Sequence, residues 1–139
     1  MKTKKIKDNV FGEMIYKYNW TKTDEIELWG NKYPIRIVAK AYENQDINDH
    51  QRKAYDYFKN NMDEISKTGL DKLFEFYNNQ ISNNKTKDEL IKLIEPKVIV
   101  FTQKDEFGIL CSCSWDKEHG IAIIISDNKI YIGSQDDLL

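Results

Sequence analysis

The segment Phe107-Gly-Ile-Leu-Cys-Ser-Cys-Ser-Trp115 decides the fold class of this chain. Apolar residues and cysteines alternate with mostly small or polar residues at a period of two, which is typical of a strand with one buried face. The face predicted to lie in the core carries Phe107, Ile109, Cys111, Cys113 and Trp115. The opposite face is small and mostly polar, with Gly108, Leu110, Ser112 and Ser114. We therefore predict a strand over residues 107–115.

Three further strands surround this segment. They are predicted at Lys97–Gln103, Ile121–Ser126 and Lys129–Gly133. Asp127-Asn128 fits a two-residue hairpin, because Asp and Asn tolerate positive φ. Consecutive antiparallel hairpins turn at alternate ends of a sheet. The turns at 104–106 and 127–128 are therefore expected at one end, and the turn at 116–120 at the other.

Residues 47–95 change to the helical period. Asn48-Asp-His-Gln51 and Thr86-Lys-Asp-Glu89 both have the capping-box pattern that begins a helix. Gly69 is expected to cap the end of the first helix, and Pro96 is expected to stop the last one. Spacings of three and four residues predict two buried stripes, namely Tyr55, Phe58, Met62 and Ile65, and then Leu70, Leu73, Phe74, Tyr77 and Ile81.

The N-terminal part of the chain, residues 9–43, is again strand-like. Phe11–Trp20 is interpreted as one strand that places Met14, Tyr16, Tyr18 and Trp20 on one face. Strands in blocks, separated by helices, favour an α+β fold over βαβ alternation. We predict a single domain over residues 1–139. Its antiparallel sheet is built from strand blocks 9–43 and 97–134, and two or three helices (48–95) lie between the blocks and pack on one face.

Composition restricts the class of protein. The chain has 139 residues, of which 40% are apolar and 32% charged, so a globular domain is expected. The net charge is −2 and 19 of the 21 basic residues are lysines, which disfavours a nucleic-acid partner. The longest apolar run, Ile121–Ile125, is far shorter than the ~20 residues that span a bilayer, and no signal-peptide pattern is present. We expect a cytoplasmic protein without a membrane partner.

Charge is distributed unevenly along the chain. Residues 1–43 carry 9 basic and 6 acidic side chains, whereas residues 97–139 carry 4 basic and 7 acidic ones. Lys2, Lys4, Lys5 and Lys7 form a basic arm that is expected to be frayed and solvated. The acids of the last third, including Asp105 and Glu106, lie mostly in predicted turns. Together they could form an acidic face for a basic partner.

The densest group of functional side chains is Trp115-Asp-Lys-Glu-His-Gly120. The carboxylates of Asp116 and Glu118 and the imidazole of His119 would suit acid–base chemistry or a metal. The same residues suit a hairpin turn in which Gly120 takes a positive φ and Trp115 packs at the strand end. We favour the turn, because no spacing supplies further metal ligands, and we predict neither metal nor cofactor. A thiolate pair between Cys113 and His119 is a weaker interpretation, because Cys113 lies on the predicted buried face.

The closing segment, Trp115-Asp-Lys-Glu-His-Gly120 followed by Ile132-Gly133, resembles a family of small bacterial domains of unassigned role in which helices follow N-terminal strands. In size and acidity the chain is also similar to immunity proteins of bacterial polymorphic and contact-dependent toxin systems. This second resemblance implies a cytoplasmic protein that binds a cognate toxin domain, for example a nuclease, and blocks it directly.

Three functions are therefore considered. The expected one is a non-catalytic immunity protein that binds its toxin through Trp115, Asp116, Glu118, His119, Asp105 and Glu106. The second is a small hydrolase or metal-dependent enzyme that uses the turn at Asp116, Glu118 and His119. The third is a structural or adaptor domain that binds through sheet edges or through a second apolar sheet face formed by Ile99, Phe101, Ala122, Ile124 and Tyr131. The identity of the partner and the oligomeric state are left open.

Overall fold

The structure, a computed structural model, describes residues 4–138. Its α+β class, with a mostly antiparallel sheet and three helices, confirms the predicted class. In chain order, the elements are β1 (Lys4–Asp8), β2 (Gly12–Lys17), β3 (Asn19–Leu28), β4 (Asn31–Ala39), α1 (Asp49–Asn60), α2 (Met62–Gln80), α3 (Lys87–Ile91), β5 (Ile94–Phe101), β6 (Glu106–Cys113), β7 (Asp116–Ser126), β8 (Lys129–Gly133) and a 3₁₀ helix (Gln135–Asp137). No helix within residues 4–138 is both long and apolar enough to cross a membrane.

The eight strands form one sheet in which the spatial order is the sequence order, β1 to β8. All neighbours are antiparallel except β4 and β5, which run parallel. The three helices lie between these two strands in the chain, since a parallel pair needs a long crossover connection. The carboxyl ends of β4 and β5 therefore open at the same end of the sheet, together with the β2–β3 and β5–β6 turns.

The two ends of the sheet differ in the aromatic residues that they carry. The tyrosine end consists of residues 16–19, 40–44 and 102–106. The tryptophan end consists of residues 29–30, where β3 meets β4, and residues 114–120, where β6 meets β7. The hairpin turn at Asp127-Asn128 takes the predicted positive φ values, 52° and 61°.

Both predicted capping boxes are confirmed, at the starts of α1 and α3. The predicted C-cap at Gly69 is wrong. Gly69 lies within α2 and is buried, and a Cβ there would lie 3.1 Å from Cγ2 of Ile123. The glycine lets the helix approach the sheet closely, while the break between α1 and α2 falls at Asn61.

Two boundary predictions at the strands also need correction. The expected frayed arm is ordered where the structure describes it: Lys4, Lys5 and Lys7 belong to β1, and Lys2 lies outside the described residues. Pro96 does not stop a helix but lies in β5, where the pairing with β6 shifts register between Pro96 and Val98. The shift accommodates a residue that has no N–H to donate.

The main core unites the three helices with one face of the sheet and is rich in aromatic side chains. Phe101 stacks on Phe107 with ring centroids 5.1 Å apart, and Phe58 meets both rings edge-on. Ile99 and Phe101 belong to this core. Their predicted place on the second sheet face is therefore wrong.

The second face carries a smaller apolar cluster of Val38, Val100, Leu110, Ala122, Ile124 and Leu138. Leu138 follows the 3₁₀ helix and is buried against Gly108, where a Cβ would collide with Cδ1 of Leu138. The chain's own closing segment therefore covers part of the face that the adaptor hypothesis left for a partner.

Candidate functional site

The segment from Trp115 to Gly120 is a hairpin turn followed by a bulge. Cys113 pairs with Asp116, so the tight turn is Ser114-Trp115 rather than residues 116–120. The next ladder pair is Cys111 with Ile121, so four residues of β7, 117–120, lie opposite the single residue Ser112 of β6. Gly120 has φ +64°, which confirms its predicted positive φ. A Cβ at this position would lie 2.5 Å from the carbonyl oxygen of Cys111.

The side chains of this segment are engaged with their own neighbourhood. The Asp116 carboxylate accepts a hydrogen bond from the backbone N–H of His119 at 3.1 Å and contacts Nδ1 of the same residue at 3.0 Å. These contacts hold the pKa of Asp116 below its ordinary value. Trp115, predicted on the buried strand face, lies in the turn instead and is half-buried, with its ring edge-on to Tyr77 at 5.0 Å. Glu118 is exposed.

Nucleophilic and metal chemistry receive little support from the described residues. Both cysteines are free and buried, and burial raises the pKa of Cys111 and of Cys113. A buried thiol with a raised pKa is a poor nucleophile. Among residues 4–138, no three His, Cys, Asp or Glu side chains are grouped so that they could hold a metal ion.

The other predicted partner-binding residues lie at the opposite end of the sheet. Asp105 contacts Nδ1 of His50, in the first turn of α1, at 2.7 Å, and both side chains are exposed. Glu106 begins β6 and pairs with Ser126. The six predicted residues therefore divide between two sites: Asp105 and Glu106 at the tyrosine end, and Trp115, Asp116, Glu118 and His119 at the tryptophan end.

The tyrosine end holds a groove of about 1000 Å³. It lies beyond the carboxyl ends of the parallel strands β4 and β5. It is lined by residues 16–19, 40–44 and 102–104 together with Lys4, Glu106, Asp137 and Leu138.

Two tyrosines project at this groove. Tyr18 is 89% exposed and Tyr42 is 78% exposed, the highest values among the large apolar and aromatic side chains described. Tyr18 is the single residue between Lys17 and Asn19, which pair with each other, and its φ is +65°. The prediction that Tyr18 shares a strand face with Met14 and Trp20 is wrong, because the chain reverses at this residue.

The loop that presents Tyr42 is held by hydrogen bonds on both sides. The backbone N–H of Ala41 donates to Asn19 at 3.0 Å, and the hydroxyl of Tyr16 donates to the Ala41 carbonyl at 3.2 Å. Further along, the Trp20 indole N–H donates to the carbonyl of Gln45 at 2.8 Å. A loop fixed in this way presents its exposed side chain without a large ordering cost on binding.

One buried side chain, Gln51, joins the two strand ends at which the groove lies. Its Nε2 donates to the carbonyl of Lys40 at 2.8 Å and to that of Phe101 at 3.2 Å, so it joins the ends of β4 and β5. Its Oε1 accepts the N–H of Asn48 and completes the capping box of α1. The same glutamine that completes the capping box of the helix therefore also links the ends of the two strands.

Sequence reasoning missed Tyr18 and Tyr42 as surface residues. Alternation assigned Tyr18 to the strand Phe11–Trp20, and no pattern singled out Tyr42. The available signals were local. Asn19, a residue frequent in turns, follows Tyr18, and the polar run Glu43-Asn-Gln-Asp46 follows Tyr42.

No curated protein and no solved structure matches this chain. A family does match, over nearly the whole length. Because the family model of the domain of unknown function DUF6985 covers residues 10–139, the chain belongs to that family.

Proposed function

We propose that this protein is a non-catalytic immunity protein of the bacterial cytoplasm, which binds a cognate toxin domain and blocks it by direct contact. The binding surface is the tyrosine end, with Asp105 and Glu106 at its margin. The single observation that carries this placement is the pair of highly exposed tyrosines at an open groove. Tyrosine is enriched among the residues that dominate binding energy at protein interfaces.

The backbone at Tyr18 adds to this argument. A left-handed conformation costs a residue other than glycine about 1–2 kcal/mol, and an aromatic side chain in it is unusual. Tyr18 is almost fully exposed, so little burial of its ring offsets that cost within the described chain. A residue with a strained backbone whose side chain makes few contacts within the protein is a candidate for contact with another molecule.

The chemistry of the tryptophan end gives less support to a binding surface. Trp115 is used in packing against Tyr77, and the Asp116 carboxylate is used to hold the bulge at His119. Those roles are structural, which leaves Glu118 and the outer edge of His119 as the groups that could meet a partner. We therefore place the toxin contact at the tyrosine end rather than at this segment.

The test uses the C-terminal domain of a large secreted protein encoded beside this gene as the toxin. Co-expression of the wild-type chain is expected to restore growth of cells that produce this domain, and calorimetry on the purified pair is expected to show binding. Tyr18→Gly and Tyr42→Ala should each weaken binding by roughly 30-fold, as expected for a hot spot of about 2 kcal/mol.

The matched control reverses charge at the other end, with Asp116→Lys and Glu118→Lys in one variant. It should bind as the wild type does. If this control loses binding while both tyrosine variants keep it, the site belongs at the tryptophan end. If no such toxin domain is encoded nearby and none is neutralised, the immunity role is wrong.

A further inference from the structure

Because the strands lie side by side in sequence order, the uneven charge along the chain becomes an uneven charge across the sheet. Strand order follows sequence order, so the N-terminal strands lie at one edge and the C-terminal strands at the other. Residues 4–43 carry 8 basic and 6 acidic side chains, and residues 97–138 carry 4 basic and 7 acidic ones. The protein is therefore more positive on the β1 side and more negative on the β8 side.

The groove at the tyrosine end crosses this gradient. Its β1–β2 side is lined by Lys4 and Lys17, and the loop after β4 adds one acid, Glu43, to the lining. The amine of Lys4 donates to the side-chain oxygen of Asn44 at 2.9 Å, which fixes the lysine beside the groove without cancelling its charge. Lys40, near the middle, likewise donates to a neutral acceptor, the carbonyl of Leu138 at 3.2 Å.

The opposite side of the groove is acidic. Glu106 and Asp137 line it, and Lys104 is the one basic residue beside them among the lining residues. Burial and then the charges of Glu106 and Asp137 raise the pKa of Tyr131 on β8. Both carboxylates therefore lie within electrostatic range of the same hydroxyl. Asp105 precedes Glu106 in the chain but does not line the groove, and its carboxylate contacts His50 of α1.

We propose that the groove binds a bipolar segment of the partner protein, with an acidic group that faces Lys4 and Lys17 and a basic group that faces Glu106 and Asp137. Tyr18 and Tyr42 contact the less polar stretch between the two charged groups. This inference rests on the proposed function and specifies which partner surface fits it. Four strand spacings separate β2 from β6, about 19 Å, so the segment is about six residues long if it is extended.

A bipolar partner and a uniformly basic toxin attracted by an acidic face respond differently to charge reversal in the groove, and binding measurements separate them. The basic variant set carries Lys4→Glu and Lys17→Glu, and the acidic set carries Asp105→Lys and Glu106→Lys. A bipolar partner predicts that each set weakens binding of the neighbouring toxin domain roughly tenfold, with a smaller effect at high salt. A uniformly basic partner predicts instead that the lysine set tightens binding, which would overturn the proposal.

The control that decides the matter combines all four substitutions. This variant keeps the net charge of the wild type, because two lysines become acidic and two acids become lysines. Overall attraction to the partner is therefore unchanged, while the polarity of the groove is reversed. The proposal predicts that the combined variant binds at least as weakly as either set alone. Binding equal to that of the wild type would overturn it, provided that circular dichroism shows a folded variant.

A second arm separates this proposal from the proposed function, because it uses no toxin. Three synthetic peptides have equal length and equal aromatic content. The first has an acidic end and a basic end, the second has two basic ends, and the third has two acidic ends. NMR shifts at the groove residues should show the tightest binding for the first peptide, with the preference abolished in the combined variant. Equal binding of the three peptides would overturn the bipolar groove even if the toxin binds. Preference for the first peptide with no toxin binding would overturn the immunity role alone.

A second copy of this chain also carries a basic and an acidic side that could pair with this groove. Sedimentation distinguishes such a dimer from binding of a foreign partner. If sedimentation shows a wild-type dimer that either charge set dissociates, the groove binds another copy rather than a foreign partner, and the proposal is overturned. A monomer at the concentrations of the binding experiments supports it.

Discussion

Tyr18 and Trp29 are both aromatic residues in left-handed backbone conformations, with φ values of +65° and +53°, and they lie at opposite ends of the sheet. The indole N–H of Trp29 donates to the carbonyl of Ser66 in α2 at 2.8 Å, and its ring packs against the main core. Tyr18 is 89% exposed. The strain at Trp29 is offset by contacts within the fold, whereas the strain at Tyr18 has no comparable compensation among the described residues.

This difference extends to the surroundings of each residue. At the tryptophan end, Trp115 packs on Tyr77, and the N–H of Ser114 donates to Leu93 at 2.9 Å. At the tyrosine end, the hydrogen bonds fix the backbone around Ala41, Tyr16 packs against the main core, and the rings of Tyr18 and Tyr42 remain in solvent. One end uses its aromatic residues to join the sheet to the helices. The other holds a rigid backbone that displays them, which is the arrangement expected of a binding surface.

The largest expected effect tests the structural role of the tryptophan end. Gly120→Val should destabilise the protein by about 3–5 kcal/mol, because a β-branched residue is strained at φ +64° and its Cβ would approach the Cys111 carbonyl. Urea denaturation measures the loss. Gly30→Ala is the control, since Gly30 also has a positive φ but has open space where a Cβ would lie, and it should cost only about 1 kcal/mol. Equal costs at the two glycines would mean that the bulge at residues 117–120 is not a packed element.

The next prediction compares one aromatic residue from each end. Trp115→Ala should cost about 2 kcal/mol, because the half-buried ring loses its contact with Tyr77. Tyr42→Ala should change the free energy of unfolding by less than about 0.5 kcal/mol, because the side chain is mostly in solvent. Thermal and urea denaturation of both variants provide the measurement. A costly Tyr42→Ala variant would show that the exposed tyrosines stabilise the fold, and the comparison between the ends would fail.

Local sequence signals predicted the parts of this fold that depend on local physics. The capping boxes at Asn48 and Thr86 were predictable because a side chain three residues away completes each one. The positive φ of Gly120 was predicted from its glycine side chain, but the residue adopts it in the bulge of β7 rather than in the turn itself. The alternation over residues 107–113 placed the correct side chains in the main core.

Contacts between distant segments could not be predicted in the same way. Gly69 looks like a helix cap in sequence, but it is a packing glycine because Ile123 lies against it from another strand. The pairing of β4 with β5, which sets the position of the groove, depends on a crossover of more than fifty residues. Tyr18 was misplaced because the alternation of Met14, Tyr16, Tyr18 and Trp20 continues across a reversal of the chain.

A smaller effect is expected from the carboxylate that holds the β1–β2 turn. Asp8 accepts the N–H groups of Val10 and Phe11 and pairs with Arg52 at 2.9 Å. Burial alone would raise the pKa of Asp8, but these bonds lower it on balance below its ordinary value of 3.8. The ionised carboxylate therefore contributes stability above the unfolded pKa, and this contribution is lost as pH falls through the lower folded value.

The variant Asp8→Asn should accordingly be less stable than the wild type by about 1–2 kcal/mol at neutral pH. The gap should narrow as the pH falls below about 4, because the wild type then loses the same interaction. Urea midpoints measured across this pH range test the sign. The control is Asp105→Asn, whose exposed contact with His50 should contribute little at any pH. A constant gap for Asp8→Asn would show that its hydrogen bonds do not depend on the charge.

The smallest effect on stability is the most informative for function. Tyr18→Gly removes the left-handed strain of about 1–2 kcal/mol but adds about 0.5–1 kcal/mol of backbone entropy cost, so the free energy of unfolding should stay equal or rise by up to about 1.5 kcal/mol. Trp29→Gly makes the same backbone change at the other end and should destabilise the protein, because the bond to Ser66 is lost. Differential scanning calorimetry of both variants, with toxin binding measured on the same samples, tests the comparison directly. A Tyr18→Gly variant that keeps or gains stability and loses binding identifies a tyrosine that serves the partner rather than the fold. A variant that unfolds would instead show that the ring stabilises the β2–β3 turn, and the exposed tyrosine would no longer distinguish the two ends.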